Sequence, residues 1–382
     1  LETAALFGSL AGKGITNQFD NAGRLSATTD TTGSGSRQIG YTYDENGNRE
    51  TMTHPGGQEI DYTFDKLDRL TDLYTYEPTQ GSNRHLIGLT YDAVGRRAQL
   101  TKYASITTTY TYDKASRLAS LSMNPGGTAY DLSDSFAYNP AGQMVSRVRD
   151  NDLFLTTLYN VSRPYKANGL NQYDYTGSST SPTAQFQYDG NGNLKQSAAS
   201  GVLPVNYTYD AENRLISVND QQAGTTVTLS YDPKGRLFEV TQAGSPTTRF
   251  LWDGDDLIGE LASSATTTWK RRYVHGTGDD EPLVWYEGAA VDQAGRRFFN
   301  ADHQGSIISV TDYGANTLAV NTYDAWGIPR DSNLGRFGYT GQLNVPEIGL
   351  QYYKARIYSP TLGRFLQTDP IGYEDDVNLY AY

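Results

Sequence analysis

The sequence has 382 residues, no cysteine and a formal net charge of −12. The absence of cysteine excludes disulfides, thiol catalysis and cysteine-based metal sites. The acidic balance opposes nucleic acid or an anionic membrane as the main partner, because both require a basic surface. The 30 Tyr, the 39 Gly and the long Thr and Ser stretches favour strands and turns over helices, and no apolar run reaches the ~20 residues of a membrane helix.

An aromatic residue followed by Asp and a turn recurs along the chain, and each copy predicts a β-hairpin corner. The aromatic side chain is expected to end a strand and pack on a sheet face, and the Asp side chain to accept backbone N–H bonds in the turn. Gly or Asn four positions after the aromatic residue supplies the positive φ that closes the turn. The regular copies begin at Phe19, Tyr43, Tyr91, Tyr188, Tyr209 and Tyr231, and looser copies begin at Phe64, Tyr112, Tyr138, Tyr159 and Trp252.

The spacing of these copies has its own regularity. Successive copies are 24, 21, 27, 21, 26, 21, 29, 21, 22 and 21 residues apart. An interval near 21 residues accommodates two strands of about seven residues and two turns. We therefore expect a superperiod of two repeats, with one fixed connection and one elastic connection. The elastic connections, such as Pro78–His85 and Gly177–Pro182, are predicted to form loops on one rim whose lengths alternate along the chain.

The repeated motif resembles the YD repeats of the RHS family, and the resemblance covers nearly the whole chain. After Trp252 it extends to six segments that follow the order of the family's core region. These segments are Tyr273–Gly276 with Asp280–Val284, Asp302–Ile307, Tyr323–Gly327, Arg336–Gln342, Gly349–Arg356 and Gly363–Gly372.

The resemblance implies a fold and a division of the chain. The fold is all-β, with the hairpins forming a continuous antiparallel sheet that spirals into a shell, here a partial one, and with a core segment that closes it. The chain divides into YD/RHS repeats at residues 1–258 and a repeat-associated core segment at 259–382 that continues the same sheet. The chain begins and ends inside the pattern, so we expect it to be a fragment of a longer protein.

The function that the resemblance implies is containment. In bacterial members the shell resembles a container that encapsulates and delivers a C-terminal toxin or effector polypeptide. The partners implied are that polypeptide and, beyond it, secretion-machinery proteins or cell-surface glycans, with a secreted or cell-surface location and no cofactor. A second interpretation, from a different class, is a cell-surface adhesion or carbohydrate-binding scaffold without cargo.

The candidate catalytic residues are Asp369 and Arg364. Many members of the family perform an aspartate-dependent self-cleavage that uses two Asp-Pro-x-Gly boxes, the second beside the scission point. Asp369–Gly372 matches the first box, and Arg364, five residues earlier, is placed to orient Asp369 or to balance its charge. The second box is not among the 382 residues. We therefore expect self-cleavage, as an aspartyl autoprotease, only in an intact parent, while in this fragment Asp369 begins a Pro turn.

Other residues that invite a chemical role have simpler structural interpretations. His303 is interpreted as a histidine in a turn rather than a ligand or a base. Asp44 and Asp189 begin series that match the first ligands of an EF-hand loop but lack its later Gly and Glu, so both are interpreted as turns. Asp253–Asp256 and Gly278–Glu281 are interpreted as solvated loops, and no metal site is predicted.

Overall fold

The computed structural model describes residues 2–6, 13–33, 35–77, 81–156, 164–262, 268–374 and 377–382. Within them the chain is all-β, as predicted, and its strands form three antiparallel sheets of 13, 15 and 4 strands that do not close into barrels. In each sheet, strands that are adjacent in sequence are adjacent in space, so each sheet is a meander. The predicted corner at Tyr159 lies outside the described residues.

The strands alternate direction along the three sheets. The first sheet contains β1 to β13, which are Ala4–Leu6, Gly14–Phe19, Leu25–Asp30, Arg37–Tyr43, Arg49–Thr53, Glu59–Phe64, Leu70–Glu77, Ser82–Tyr91, Arg97–Lys102, Ile106–Tyr112, Leu118–Asn124, Leu132–Tyr138 and Met144–Arg149. The second sheet contains β14 to β28, which are Tyr165–Ala167, Tyr173–Ser178, Ser181–Tyr188, Leu194–Ala199, Val205–Tyr209, Leu215–Asp220, Thr225–Tyr231, Leu237–Gln242, Thr248–Asp253, Asp256–Ala262, Trp269–His275, Pro282–Glu287, Arg296–Ala301, Ile307–Asp312 and Thr317–Val320. The third sheet contains β29 to β32, which are Leu343–Val345, Leu350–Tyr353, Arg356–Ser359 and Arg364–Phe365.

Helical structure is confined to single 3-10 turns among the described residues. They are Tyr103–Ser105, Thr128–Tyr130, Asp152–Phe154 and Tyr339–Gly341. None of the described segments forms a helix with the length and hydropathy of a membrane span.

The corner after Tyr112 shows why the aromatic-Asp motif makes a turn. The Oδ1 atom of Asp113 accepts the backbone N–H groups of Ala115 and Arg117, both at 2.9 Å. The backbone N–H of Asp113 donates to the carbonyl of Arg117 at 2.9 Å, and Ser116 adopts a φ of 63°. The same bonds recur at the corners of six other copies, most with Gly or Asn at the fourth position, such as Gly95. The acids there are Asp20, Asp65, Asp92, Asp189, Asp210 and Asp232. The side chain thus replaces the partners that the turning backbone lacks.

Each corner is also linked to the next one. The Arg117 guanidinium is held by Asp113 Oδ2, with an Nη2 to Oδ2 distance of 2.7 Å, and its carbon lies 4.7 Å from the centre of the Tyr138 ring. The Tyr138 hydroxyl donates to the carbonyl of Leu118 at 2.9 Å. We call this Asp–Arg–Tyr arrangement the corner clasp. It recurs with Asp20, Asp65, Asp92 and Asp210 as the acid.

The predicted alternation of loop lengths on the opposite rim is wrong. Opposite the corners, successive strands of the first sheet are joined by residues 31–36, 54–58, 103–105 and 125–131, whose lengths do not alternate. The long interval between Phe64 and Tyr91 is instead taken up by strand length, because β7 has 8 residues and β8 has 10. A register shift between Leu73 and Tyr74 accommodates the extra residue, as a β-bulge does.

The first two sheets pack face to face. Ile39, Met52 and Ile60 of the first sheet share a buried cluster with Val274 and Phe298 of the second. The outward face of the first sheet is polar, and cross-strand hydroxyl pairs cover it, such as Thr42 with Thr51 at 2.8 Å. The strands β4 to β6 therefore alternate between a buried and a solvated face, as the period-two pattern predicts.

The chain's own C-terminal segment fills the other face of the second sheet. Phe250, Tyr273 and Phe299 belong to one buried cluster with Val345 and Ile357 of the third sheet. The same cluster extends back through Leu215 to Phe186, so the second sheet curves around the closing segment. The predicted single sheet is thus divided, because the last strands pack across the sheet face instead of extending its edge. Strand β23 spans the predicted boundary at residues 258 and 259.

Candidate functional site

The closing segment, residues 336–382, enters the second sheet through a buried ion pair. Arg336 Nη2 lies 2.8 Å from Glu260 Oε2, and both side chains are almost completely buried. The Tyr273 hydroxyl also donates to Glu260, and Arg271 lies 3.6 Å from it. Burial alone would raise the pKa of Glu260, but the guanidinium of Arg336 reverses this effect and lowers it. Glu260 is therefore an ionised group, buried among the charged side chains of Lys270, Arg271, Arg336 and Glu347.

Arg364 anchors the same segment to the start of the second sheet. Its guanidinium carbon lies 3.4 Å from the centre of the Tyr173 ring and 5.2 Å from that of Tyr380. Its Nη1 donates to the carbonyl of Asn171 at 2.6 Å. A planar guanidinium that stacks on an aromatic ring and donates in its own plane is well oriented for such a link. Arg364 thus joins β32 to the corner before β15.

Asp369 forms its ion pair with Arg356 rather than with Arg364, the partner expected from the sequence. Its Oδ2 lies 2.7 Å from Arg356 Nη2, and its side chain is 10% exposed. Its Oδ1 accepts the backbone N–H of Ile371 at 3.0 Å, and its carbonyl accepts that of Gly372 at 3.0 Å. Asp369 therefore begins a turn, and Arg356 replaces Arg364 because antiparallel pairing of β31 with β32 brings it alongside. The catalytic role of Asp369 and Arg364 stays a prediction.

The last residues return alongside the Asp369 turn. The N–H of Asp369 donates to the carbonyl of Leu379 at 2.9 Å, and the N–H of Phe365 to that of Tyr380 at 3.2 Å. The Tyr380 hydroxyl donates to the carbonyl of Gly192 at 2.6 Å. Tyr382 reaches an aromatic cluster in which its ring centre lies 5.0 Å from that of Tyr358 and 5.5 Å from that of Tyr353. The backbone beyond Asp369 is thus held close to its carboxylate.

His303 lies in the corner between β26 and β27, in the turn the sequence predicts. Its ring centre is 4.7 Å from that of Phe136 in the first sheet. Burial lowers the pKa of His303, against the nearby charge of Asp302. The neighbouring Asp302 accepts the backbone N–H groups of Gln304 and Ser306, each at 3.0 Å. His303 thus lies between the two sheets as a mainly neutral ring.

The acidic residues that resemble cation ligands are engaged in hydrogen bonds and ion pairs. Asp44 and Asp189 each accept N–H groups of their own corner, as Asp113 does. Asp253 is not in a solvated loop as predicted, because its side chain is 8% exposed and accepts a hydrogen bond from Tyr41 at 2.6 Å. Asp280 lies 2.7 Å from Lys354. Among the described residues, no group of three or more His, Asp or Glu side chains could hold a metal ion.

Sequence reasoning missed Glu260, its hydrogen bond from Tyr273 and a second buried ion pair between Glu77 and Arg296, which joins the first two sheets. For Glu260, Glu77 and Arg296 a signal was present, since a charged residue occupies a position where the strand pattern calls for an apolar one. It also missed the corner at Asn168, where Ala167 replaces the aromatic residue. The Asn168 side chain nevertheless accepts the N–H of Gln172 at 3.0 Å.

Comparison with known proteins is consistent with this geometry. The family description "RHS Repeat" matches residues 19–59 and 209–249, and "Teneurin YD-shell" matches residues 288–380. The chain is 27% identical over 291 residues to "Double-stranded DNA deaminase toxin A" of Burkholderia cenocepacia, which covers 65% of this chain and 20% of that protein. It is 31% identical over 208 residues to "tRNA3(Ser)-specific nuclease WapA" of Bacillus spizizenii, which covers 52% of this chain and 8% of that protein.

Solved structures share the fold. The crystal structure of TcdB2-TccC3 without its hypervariable C-terminal region superposes with a TM-score of 0.69 at 17% identity, covering 96% of this chain and 23% of that one. The Photorhabdus luminescens Tc holotoxin pore superposes with a TM-score of 0.68 at 16% identity, covering 96% of this chain and 22% of that one. At this identity the likeness concerns the fold alone.

Repeated hairpin corners joined by clasps, in a curved sheet that surrounds its own closing segment, define a β-shell protein built from repeats. The two family descriptions and the named relatives point to the same group. The chain is similar to RHS/YD-repeat proteins, and the two relatives named above are a bacterial deaminase toxin and a bacterial tRNA nuclease.

Proposed function

We propose that this chain supplies part of the wall and the closing segment of a shell that encloses a C-terminal toxin or effector polypeptide. The shell belongs to a longer, secreted or cell-surface protein, which delivers the enclosed polypeptide with the help of secretion machinery. The chain spans 20% and 8% of the two curated relatives named above, so the activity of the whole protein is part of the proposal.

The observation that carries the proposal is the common core of the second sheet and the closing segment. Val345, Ile357 and Leu366 are almost completely buried against strands that begin as far back as Phe186. Each such side chain contributes about 1.5–3 kcal/mol of burial free energy. A sheet that curves around the end of its own chain directs whatever follows that end toward its concave side.

The names of the relatives support containment rather than catalysis by this region. One relative is named as a deaminase acting on double-stranded DNA, and another as a nuclease acting on a tRNA. The two activities differ, yet both proteins share the repeat region with this chain. A region common to proteins of different chemistry supplies a common mechanical task.

The experiment uses the full-length parent. In the native shell, the region after residue 382 is expected to resist a protease that digests it once the shell is unfolded in urea. Rapid digestion of that region in the native protein would contradict enclosure. Release is tested separately, with Asp369→Asn expected to abolish a self-generated C-terminal fragment and Asp210→Asn, at an ordinary corner, expected to leave it. A normal fragment from Asp369→Asn would remove Asp369 from the release mechanism.

The adhesion or carbohydrate-binding alternative has one observation in its favour. Trp326 is 57% exposed and borders a cavity of about 350 Å³ that Tyr165 and Pro360 also line. Exposed aromatic rings stack on sugars. A glycan array probed with the chain and with Trp326→Ala distinguishes the two functions, because only the scaffold function predicts binding that the substitution removes.

A further inference from the structure

A cavity of about 440 Å³ lies between the first and second sheets, and at Asp280 its rim contacts Gln342 and Lys354 of the closing segment. Leu100, Leu118 and Leu121 line it from the first sheet, and Leu283 and Phe299 from the second. Its volume is within the range of small-molecule sites, and its walls are mainly apolar, as in such sites.

One wall of this cavity carries a buried amine. Lys102, at the end of β9, is 2% exposed. Its Nζ donates to the side-chain oxygen of Asn300 at 2.7 Å, and among the described residues it forms no ion pair with a carboxylate. Asn300 is itself buried and donates to the Ser309 hydroxyl at 3.0 Å. The amine therefore has one neutral partner, in a place where a charged group needs an opposite charge.

Four acidic residues line the cavity, and three of them, all except Asp279, are paired with other bases. Glu281 forms a two-pronged ion pair with Arg97, in which Nη2 lies 3.2 Å from Oε2. Asp280 is paired with Lys354 at 2.7 Å, as described above. Asp302 lies 3.5 Å from an arginine of β13. Among the described residues Lys102 thus has no carboxylate in an ion pair with it, and an anion that enters the cavity would supply one.

Burial lowers the pKa of Lys102 to about 7, with Glu281 opposing and Arg97 reinforcing the effect. Two further groups that line the cavity, Tyr110 and His303, each keep one charge state near neutral pH. Burial raises the pKa of Tyr110, so its hydroxyl stays protonated, and burial lowers that of His303, so its ring stays mainly neutral. Lys102 is thus the group whose charge responds to an anion entering the cavity.

We propose that this cavity binds a small monocarboxylate with an apolar body, whose carboxylate pairs with the Lys102 ammonium. The apolar body lies against Leu100, Leu121 and Leu283. The Asn300 side chain fixes the position of the Lys102 ammonium. The site does not require an enclosed polypeptide.

The proposed binding of a carboxylate depends on pH in a specific way. Only the ammonium form of Lys102 pairs with a carboxylate, so binding is accompanied by proton uptake. Affinity is expected to be highest below pH 7 and to fall with increasing pH, by up to about tenfold per unit. An alcohol of the same chain length has no charge to pair and should show no such dependence.

The test is a calorimetric titration of the folded chain with octanoate and, separately, with 1-octanol. Octanoate is expected to bind more than about tenfold more weakly at pH 8.5 than at pH 6.5. Lys102→Met should lose about tenfold or more at pH 6.5, whereas Lys114→Met, at an exposed corner, should match the wild type.

The proposal would be overturned if the wild type did not bind octanoate at pH 6.5. It would also be overturned if Lys102→Met bound octanoate with the affinity of the wild type, or if the affinity for octanoate did not change with pH. The pH series uses the wild type alone, so it remains decisive if the variant fails to fold. Binding of octanol with the affinity of octanoate at pH 6.5 would show an apolar cavity without a carboxylate site and would equally overturn it.

Discussion

The first sheet and the last third of the chain are built from the same motif but are held together differently. In the first sheet, acids and bases pair four residues apart at partly exposed corners, as Asp113 does with Arg117. In the region from β22 onward, the strands are buried on both faces, as in Thr248–Asp253. There Glu260 pairs with Arg336 across 76 residues.

The contrast shows how one repeat can make both a wall and its closure. A clasp between neighbouring corners needs only its own repeat and the next, so the wall can lengthen by adding units. A buried ion pair between distant residues can form only when the whole sheet has curved, so it makes closure cooperative. The predictions below test this difference, beginning with the largest expected effect.

Glu260→Ala is expected to destabilise the chain most, by about 3–5 kcal/mol, because it removes the nearest acidic partner of the buried Arg336 guanidinium and leaves it Glu347, at 3.6 Å. The free energy of unfolding in urea measures the loss. The double variant Glu260→Leu with Arg336→Met should recover much of it, because both charges are removed together. If the single variant unfolds like the wild type, the ion pair is not what couples the closing segment to the sheet.

His54 makes the interface of the first two sheets sensitive to acid. Burial lowers its pKa from 6.5 to about 3, so it folds neutral. A group whose pKa is depressed on folding gives stability that is fully present above pH 6.5 and is lost as the pH falls toward 3. Between pH 7 and pH 5 the free energy of unfolding is expected to fall by about 2 kcal/mol, because each pH unit below 6.5 removes about 1.4 kcal/mol.

The measurement is urea unfolding at pH 7 and pH 5, compared with His54→Leu. The window stays above the range in which Glu260 and the corner acids take up protons. The variant should lose about 2 kcal/mol of this dependence on pH, and a remainder should persist, because burial also lowers the pKa of His303. An unchanged slope in His54→Leu would assign the acid sensitivity to another group.

A single corner of the second sheet is expected to matter least. Asp210→Ala removes the acceptor of the N–H groups of Glu212 and Arg214, both at 2.9 Å, and the anchor of the Arg214 guanidinium. The expected loss is about 1–2 kcal/mol in the same unfolding experiment. Asp210→Asn keeps an acceptor oxygen and should lose less. A loss as large as that of Glu260→Ala would abolish the distinction between a modular wall and a cooperative closure.

Much of the wall could be predicted because its determinants are local. The aromatic residue, Asp, and the residue that takes positive φ lie within five positions of one another, and their bonds form wherever that segment turns. The same locality explains the corner that was missed, since Asn168 makes the turn without the aromatic residue that the motif required. Loop lengths were predicted wrongly because an interval between motifs does not say whether extra residues lengthen a strand or a loop.

The sequence by itself determined the all-β fold, the corners and the family resemblance, because period-two strands and side-chain-capped turns depend on residues that are neighbours along the chain. Tertiary structure alone decided which face of each strand is buried, that Asp369 pairs with Arg356, and that Lys102 meets Asn300 across 198 residues. Those contacts depend on how far the sheets curve and where they stack. That is set by the packing of many side chains together and not by any segment alone.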